Sequence, residues 1–320
     1  IRNCLVGSEM CIRDRPLSSS IMKLIILLFL LPLTLLAKED RLILVGASYG
    51  KNILAICEPD GTVIWEHKTG GPERGHTGHH DLQFLPNGNI LFHDSWSITS
   101  EITLKKEITW KYDSKGADVH AFQRLKDGHT MIAESGVGRI VHLDKESQIV
   151  KEVLLPKNGR HKTRMLKSLP NGHYLSCAES PGVVTEYDTA GKIVWEYATK
   201  TRVFGAIRLK NGNTLIASGS GNSILEVSPD KKVIWEIKEK IPGTNIELAW
   251  TTDLQELPNG NLVIGNCHAG DKNPQIVELD KDRNVVWTFD EYELVGNGLA
   301  CWEILDAKQT ALVRSHLKKK

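Results

Sequence analysis

Leu85-Pro-Asn-Gly-Asn-Ile-Leu-Phe92 decides the fold, because the chain repeats it. Leu125-Lys-Asp-Gly-His-Thr-Met-Ile132, Leu169-Pro-Asn-Gly-His-Tyr-Leu-Ser176, Leu209-Lys-Asn-Gly-Asn-Thr-Leu-Ile216 and Leu257-Pro-Asn-Gly-Asn-Leu-Val-Ile264 are further copies. Their glycines, Gly88, Gly128, Gly172, Gly212 and Gly260, stand 40, 44, 40 and 48 residues apart. A period near 40 belongs to propellers and related repeat arrays. Asn-Gly or Asp-Gly between apolar runs supplies the positive φ of a tight hairpin turn, so each copy joins two antiparallel strands.

Outward from each copy, about 10 residues on, comes an apolar strand such as Ile224–Ser228 or Ile276–Asp280, then a polar turn and a strand such as Val285–Phe289. Four short strands per period make one blade. Helical periodicity is missing, which argues against helical solenoids. Blades are expected over about 79–113, 120–155, 161–199, 204–239 and 249–291. At the front, Arg41–Ser48, Ile53–Pro59 and Val63–His67 supply three strands without a first; at the back, Leu299–Leu305 supplies it. Pairing the two ends closes the ring and removes exposed edges. The reading is an all-β, six-bladed propeller of four-stranded antiparallel blades closed by both termini. A seventh blade begun by Ala311–Lys320 is the weaker alternative. Outer strands carry Trp65, Trp110, Trp195, Trp235 and Trp287, with Val150 at that place in the second full blade, and the rings are expected to pack between blades.

Asp60-Gly-Thr-Val-Ile-Trp-Glu66 and Asp188-Thr-Ala-Gly-Lys-Ile-Val-Trp-Glu196 resemble the repeat of pyrroloquinoline-quinone-type propellers. His79-His80-Asp81-Leu-Gln-Phe-Leu-Pro-Asn-Gly-Asn89 is more similar to the bacterial arylsulfotransferases, whose catalytic domain is a six-bladed propeller. The resemblance covers Arg41 to Asp306. For activity it implies sulfuryl transfer, with His80 or His120 as nucleophile and Arg164 and other imidazoles holding the anion. Arylsulfotransferases are longer, and no stretch here matches their extra amino-terminal domain. Quinone dehydrogenases mostly have eight blades and can carry a vicinal cysteine pair; this sequence has neither, so pyrroloquinoline quinone is not an expected cofactor.

From Met22-Lys23 an apolar run, Leu24–Leu36, leads to Ala37-Lys38, the pattern of a secretory signal peptide over 22–37. The run is shorter than the roughly 20 apolar residues of a spanning helix. The expectation is a periplasmic or secreted protein, with no membrane span after cleavage and one propeller domain over 38–320. Residues 1–21 lack periodicity, and Val6–Arg15 resembles a translated adaptor artefact, so they are read as a non-native extension. Lys+Arg 40 against Asp+Glu 39 gives a net charge of +1 and no electrostatic reason to expect nucleic acid. Cys57, Cys177, Cys267 and Cys301 fall singly in separate repeats without metal-ligand spacing. Buried thiols are expected, with Cys267–Cys301 the one disulfide to test.

A blade's innermost strand lines the channel and its second strand returns beside it, so the start of one and the end of the other share a face. Five residues before each leading Leu stand His80, His120, Arg164, Phe204 and Thr252, with His76, His79 and His161 nearby. Nine residues after it stand Asp94, Glu134, Ser218 and Asn266, with Glu179 at ten. Imidazoles and an arginine thus face carboxylates on one side only. Two functions fit. The first is a monomeric binding propeller that takes a small molecule, glycan or exported protein on this face. The second is an enzyme there: the sulfuryl transferase implied above, or, by analogy with propeller lyases acting on acidic sugars, a metal-dependent lyase. In the latter, His76, His79, His80 and His120 are candidate ligands for a divalent metal. His67, His93, His129, His142, His173 and His268 are read as structural.

Overall fold

Each Asn-Gly phrase folds as a hairpin in which only the glycine takes a positive φ. Gly88 has φ +87°, its N–H donates to Leu85 O at 2.9 Å, and Leu85 N–H donates to Asn89 O at 2.8 Å. Asn87 accepts the Asn89 N–H instead of turning left-handed itself. The turn is therefore the longer kind closed by a left-handed glycine, not a two-residue turn with both centres at positive φ.

The computed structural model describes residues 40–70, 79–156 and 163–318. It holds six four-stranded antiparallel sheets. Blade one comprises Leu82–Phe84, Ile90–Ser95, Ile98–Ile102 and Ile108–Asp113; blade two Val119–Arg124, Thr130–Glu134, Arg139–Leu143 and Ile149–Leu154. Blade three comprises Thr163–Ser168, Tyr174–Ala178, Val183–Tyr187 and Ile193–Ala198; blade four Gly205–Arg208, Thr214–Ala217, Ser223–Val227 and Val233–Lys238. Blade five comprises Thr251–Glu256, Leu262–Asn266, Ile276–Leu279 and Val285–Phe289. The sixth is the closure: Leu299–Ile304 pairs with Ile43–Ala47, followed by Ile53–Cys57 and Val63–Lys68. The protein is a six-bladed propeller, as the repeat predicts. The expected signal peptide, 22–37, and the extension expected over 1–21 lie outside the described residues.

The tail corrects the weaker alternative. Ala307–Leu317 is a helix, not the start of a seventh blade. Asp306 and Gln309 form a reciprocal capping box at its start. Arg314 ties its far side to Asp40 and Glu58. No helix among the described residues is long and apolar enough to cross a membrane.

The tryptophans bridge neighbouring blades. Trp65 Nε1 donates to Leu104 O at 2.8 Å, Trp195 Nε1 to Pro229 O at 3.0 Å and Trp287 Nε1 to Pro59 O at 3.1 Å, each across a blade boundary. An arginine from the next blade lies over four of these rings and pairs with a third-strand glutamate. Arg41 sits over Trp287 and meets Glu278, while Arg124 sits over Trp110 and meets Glu101. Arg208 does the same for Trp195 and Glu186, and Arg283 for Trp235 and Glu226. Blade two, with Val150 in place of tryptophan, lacks this clamp.

The four cysteines are free, buried thiols. Cys267 and Cys301 are not bridged, because they pack into different apolar clusters: Cys267 with Phe204 and Ala300, Cys301 with Leu44 and Leu82.

Innermost strands have one edge without a strand partner, and their N–H groups need acceptors. Side chains of the neighbouring blade provide them. Asp81 accepts from Phe122 N at 3.1 Å and Gln83 from Arg124 N at 2.7 Å. Gln123 accepts from Ser168 N at 2.7 Å, Gln255 from Ile304 N at 2.8 Å and Glu303 from Phe84 N at 2.7 Å. These links hold the ring together around its axis.

Candidate functional site

The site begins with an irregularity in pairing. The register slips between Val119 and Ala121, between Thr163 and Met165, and between Thr251 and Leu254. A bulge of this kind leaves a residue unpaired and re-aims its side chain. His120, Arg164 and Thr252 occupy those positions. Blade one starts its first strand only at Leu82, so His80 is also clear of the ladder.

Three of these side chains meet. Arg164 Nη1 is 3.3 Å from His80 Nε2 and 3.2 Å from His120 Nδ1. The two imidazoles pack edge to face with centroids 4.8 Å apart, and Phe204 lies 6.2 Å from the His80 ring. Arg164 reaches Glu179 through Nε at 2.8 Å and Nη2 at 2.6 Å. Arg202 shares the same carboxylate at 3.6 Å. Asp118 Oδ1 stands 2.8 Å from His120 Nε2.

This network assigns the tautomers. A guanidinium carries only donors, so His80 Nε2 and His120 Nδ1 must each accept. The proton of each neutral ring then sits on the other nitrogen: Nδ1 in His80, and Nε2 in His120, 2.8 Å from Asp118 Oδ1. Burial, reinforced by Arg164, His120 and other imidazoles, pushes the His80 pKa well below its ordinary value, so His80 is neutral near pH 7. Both lone pairs are thus occupied by one guanidinium. In this arrangement neither imidazole has a lone pair left to attack a sulfuryl group or ligate a metal. Among the described residues no three His, Cys, Asp or Glu side chains converge as a metal site.

Other expected residues fall elsewhere. His79 is buried at the joint with the closing blade, where Nε2 meets Thr69 Oγ1 at 2.5 Å and its N–H donates to Ser48 Oγ at 3.0 Å. Burial lowers its pKa to about 4. Glu134 is held by Tyr112 Oη at 2.6 Å and Arg139 Nε at 2.5 Å, both closer to the outside of the blades than the cluster. Asn266 pins a loop through Ala249 N, Glu247 O and Pro274 O. Ser218 accepts from Ser223 N and Oγ. Asp94 stands near His67, whose pKa burial lowers against the pull of that carboxylate. Phe204 and Thr252 are buried, and Thr252 Oγ1 has no partner among the described residues. His76 and His161 lie outside the described residues.

Sequence reasoning missed several residues. His93, read as structural, is buried with its ring 4.7 Å from Phe122. Burial, then His120 and His79, drive its pKa well down. A signal was there: the equivalent positions hold Ala133, Cys177, Ala217, Gly265 and Gly46, all small. Around the mouth, Trp96 (43% exposed) meets His120 at 5.7 Å, and Tyr49 (69% exposed) meets His268 at 6.1 Å. His268 stacks on Trp250 at 5.4 Å, and Arg202 lies 5.8 Å from the Trp250 ring. Tyr49, Asp118 and Trp250 all have left-handed backbone, with φ of 51°, 54° and 56°.

Deeper along the innermost strands lies a polar cavity of about 220 Å³, lined by Gln83, Gln123, Lys167, Asp253, Gln255 and Glu303 among others. Burial raises Glu303 to about 7, and raises Asp81, 3.7 Å from Lys167, to about 7 as well.

No protein-family profile matches the chain, and no curated protein matches it in sequence. Solved structures do match in fold. A protein of unknown function from Bacteroides caccae superposes with a TM-score of 0.71 at 19% identity, covering 83% of this chain and 98% of that one. A catalytically inactive virginiamycin B lyase from Staphylococcus aureus, with quinupristin, gives 0.56 at 15% identity, covering 81% and 88%. The WD40 propeller domain of Doa1 gives 0.54 at 14% identity, covering 77% and 91%. At these identities the likeness is one of fold.

Proposed function

We propose that this propeller binds a small molecule at the channel mouth where Arg164 meets His80 and His120, and that it works outside the cytoplasm after removal of residues 22–37. The observation that carries the binding reading is the single guanidinium nitrogen shared by two imidazoles. It makes a rigid polar floor, and Trp96, Tyr49 and Trp250 stand around it, Trp96 43% and Tyr49 69% exposed. A few fixed polar groups beside aromatic walls are the usual composition of a ligand pocket. Export is supported by the 22–37 segment alone. The test is native mass spectrometry of the protein purified without chelator, beside its Tyr49→Ala and Trp96→Ala variants. A bound mass in the wild type that both variants lose supports the reading. A bound mass retained by both refutes this location.

One observation favours a second reading. His80 Nδ1 is buried without a partner among the described residues, and the tautomer above makes it a donor. A fixed donor in a water-poor site stabilises a developing oxyanion, and the virginiamycin B lyase shares this fold. In that reading His80→Ala removes turnover of the bound compound and leaves melting unchanged.

A further inference from the structure

The mouth is rich in donors: two guanidinium groups, Arg164 and Arg202, stand among two carboxylates, Glu179 and Asp118, and two imidazoles. Glu179 Oε2 takes Arg164 and Oε1 faces Arg202, so two guanidinium groups share one carboxylate. Asp118 is engaged by His120. The lone pairs of His80 Nε2 and His120 Nδ1 are spent on Arg164. Two donors are under-used: His80 Nδ1–H is buried without a partner among the described residues, and Arg202, 61% exposed, is tied only by the 3.6 Å ion pair to Glu179 and the Trp250 ring 5.8 Å away. A guanidinium fork so loosely tied is suited to a planar two-oxygen anion. Beside it stand rings, with Trp250 stacked on His268 and Tyr49 edge-on to the same imidazole. Tyr49 also lies within the electrostatic reach of Arg164 and Glu179, so rings and guanidiniums border one space.

We infer that the ligand of this mouth is a ring-bearing organic carboxylate, whose anionic oxygens meet Arg202 while its ring lies against Tyr49 and Trp96. This rests on the binding reading above and adds its chemical class. Aromatic acids and sugar acids share that chemistry.

The experiment titrates wild type and Arg202→Gln with benzoate and glucuronate, and with the neutral counterparts benzamide and glucose. Calorimetry gives affinities, and the indole N–H resonances of Trp96 and Trp250, assigned with Trp96→Phe, report the place. Arg202 is exposed, so Arg202→Gln is expected to fold and melt as wild type does. The expected result is that at least one anion binds and shifts an indole signal, about tenfold or more tighter than its neutral counterpart, and that Arg202→Gln erases the preference. Benzoate or glucuronate then identifies the aromatic or the sugar source. Equal affinity for a neutral counterpart, or a preference that survives Arg202→Gln, overturns the inference. Failure of both anions on a protein whose mouth retains a co-purified compound overturns the carboxylate class and leaves the binding reading standing. Failure of both anions with no compound in the mouth overturns both.

Discussion

Arg164 donates to His80 across 84 residues and from blade three to blade one, which are not neighbours in the ring. Only side chains aimed at the axis can skip a blade. The contact therefore locates the site on the channel, and the bulge at Thr163–Met165 is what aims Arg164 there.

Arg164→Met tests how far this network holds the fold. Glu179 is buried and would keep only Arg202, at 3.6 Å. Leaving a buried carboxylate without its main partner costs about 3–5 kcal/mol. Denaturant unfolding of Arg164→Met should show a loss of that order, and adding Glu179→Leu should recover much of it. A single variant as stable as wild type would remove Arg164 from the centre of the site.

The tautomers are open to direct measurement. Long-range proton–nitrogen NMR of the imidazoles should find His80 protonated at Nδ1 and His120 at Nε2 at neutral pH. In Arg164→Gln the constraint is gone, because a glutamine amide both donates and accepts. An Nε2-protonated His80 in the wild type would contradict the acceptor role that Arg164 imposes on that nitrogen.

The fold was legible in the sequence because a propeller writes its turn chemistry once per blade. Five copies of Leu-x-Asn/Asp-Gly located five hairpins, and the unmatched strands at each end located the closure. The meeting of His80, His120 and Arg164 was legible for the same reason: equivalent positions in a ring converge on its axis. Partner choice was not legible. Whether Glu134 faces the axis or turns to Tyr112 depends on a contact between blades, which no repeat alignment encodes. The Arg41–Glu278 clamp joins residues 237 apart and has no local pattern. The terminal helix was missed because the tail was considered only as a strand pair begun by Ala311–Lys320, while the helix's start signal, the Asp306–Gln309 capping box, lies before that stretch. The buried His93 was hidden by treating its strand alone and not against Ala133, Cys177, Ala217 and Gly265.

The clamp between blades five and six gives a stability prediction. Arg41 is 12% exposed and Glu278 4%, and the pair is 2.5 Å apart with Trp287 beneath the guanidinium. Trp287 is partly buried, so Trp287→Ala should cost less than the roughly 3–5 kcal/mol of a fully buried aromatic, about 2–3 kcal/mol. A double-mutant cycle between Arg41→Ala and Glu278→Ala should return a coupling of about 1–3 kcal/mol. Additive losses would mean that the two residues do not act together.

Two buried groups make opposite predictions about pH. The His79 pKa is lowered to about 4 by burial, from 6.5. The unfolded chain therefore binds a proton that the folded one refuses between those values, and stability drops as pH falls from about 6.5 towards 4. At 1.36 kcal/mol per unit the loss approaches roughly 3 kcal/mol. Asp81 is raised to about 7 by burial, against the pull of Lys167, from 3.8. Its contribution is full below the unfolded value and is lost as pH rises through about 7. In wild type the two slopes oppose each other, so single variants are needed to separate them. Unfolding free energies of wild type and His79→Gln should converge by roughly 3 kcal/mol between neutral pH and pH 4. Asp81→Asn should instead gain on wild type as pH rises over the same range, because the wild-type carboxyl must ionise where burial disfavours charge. Parallel curves for His79→Gln and wild type would show that His79 titrates as freely in the folded protein as in the unfolded chain, and that the joint between blade one and the closing blade is wet.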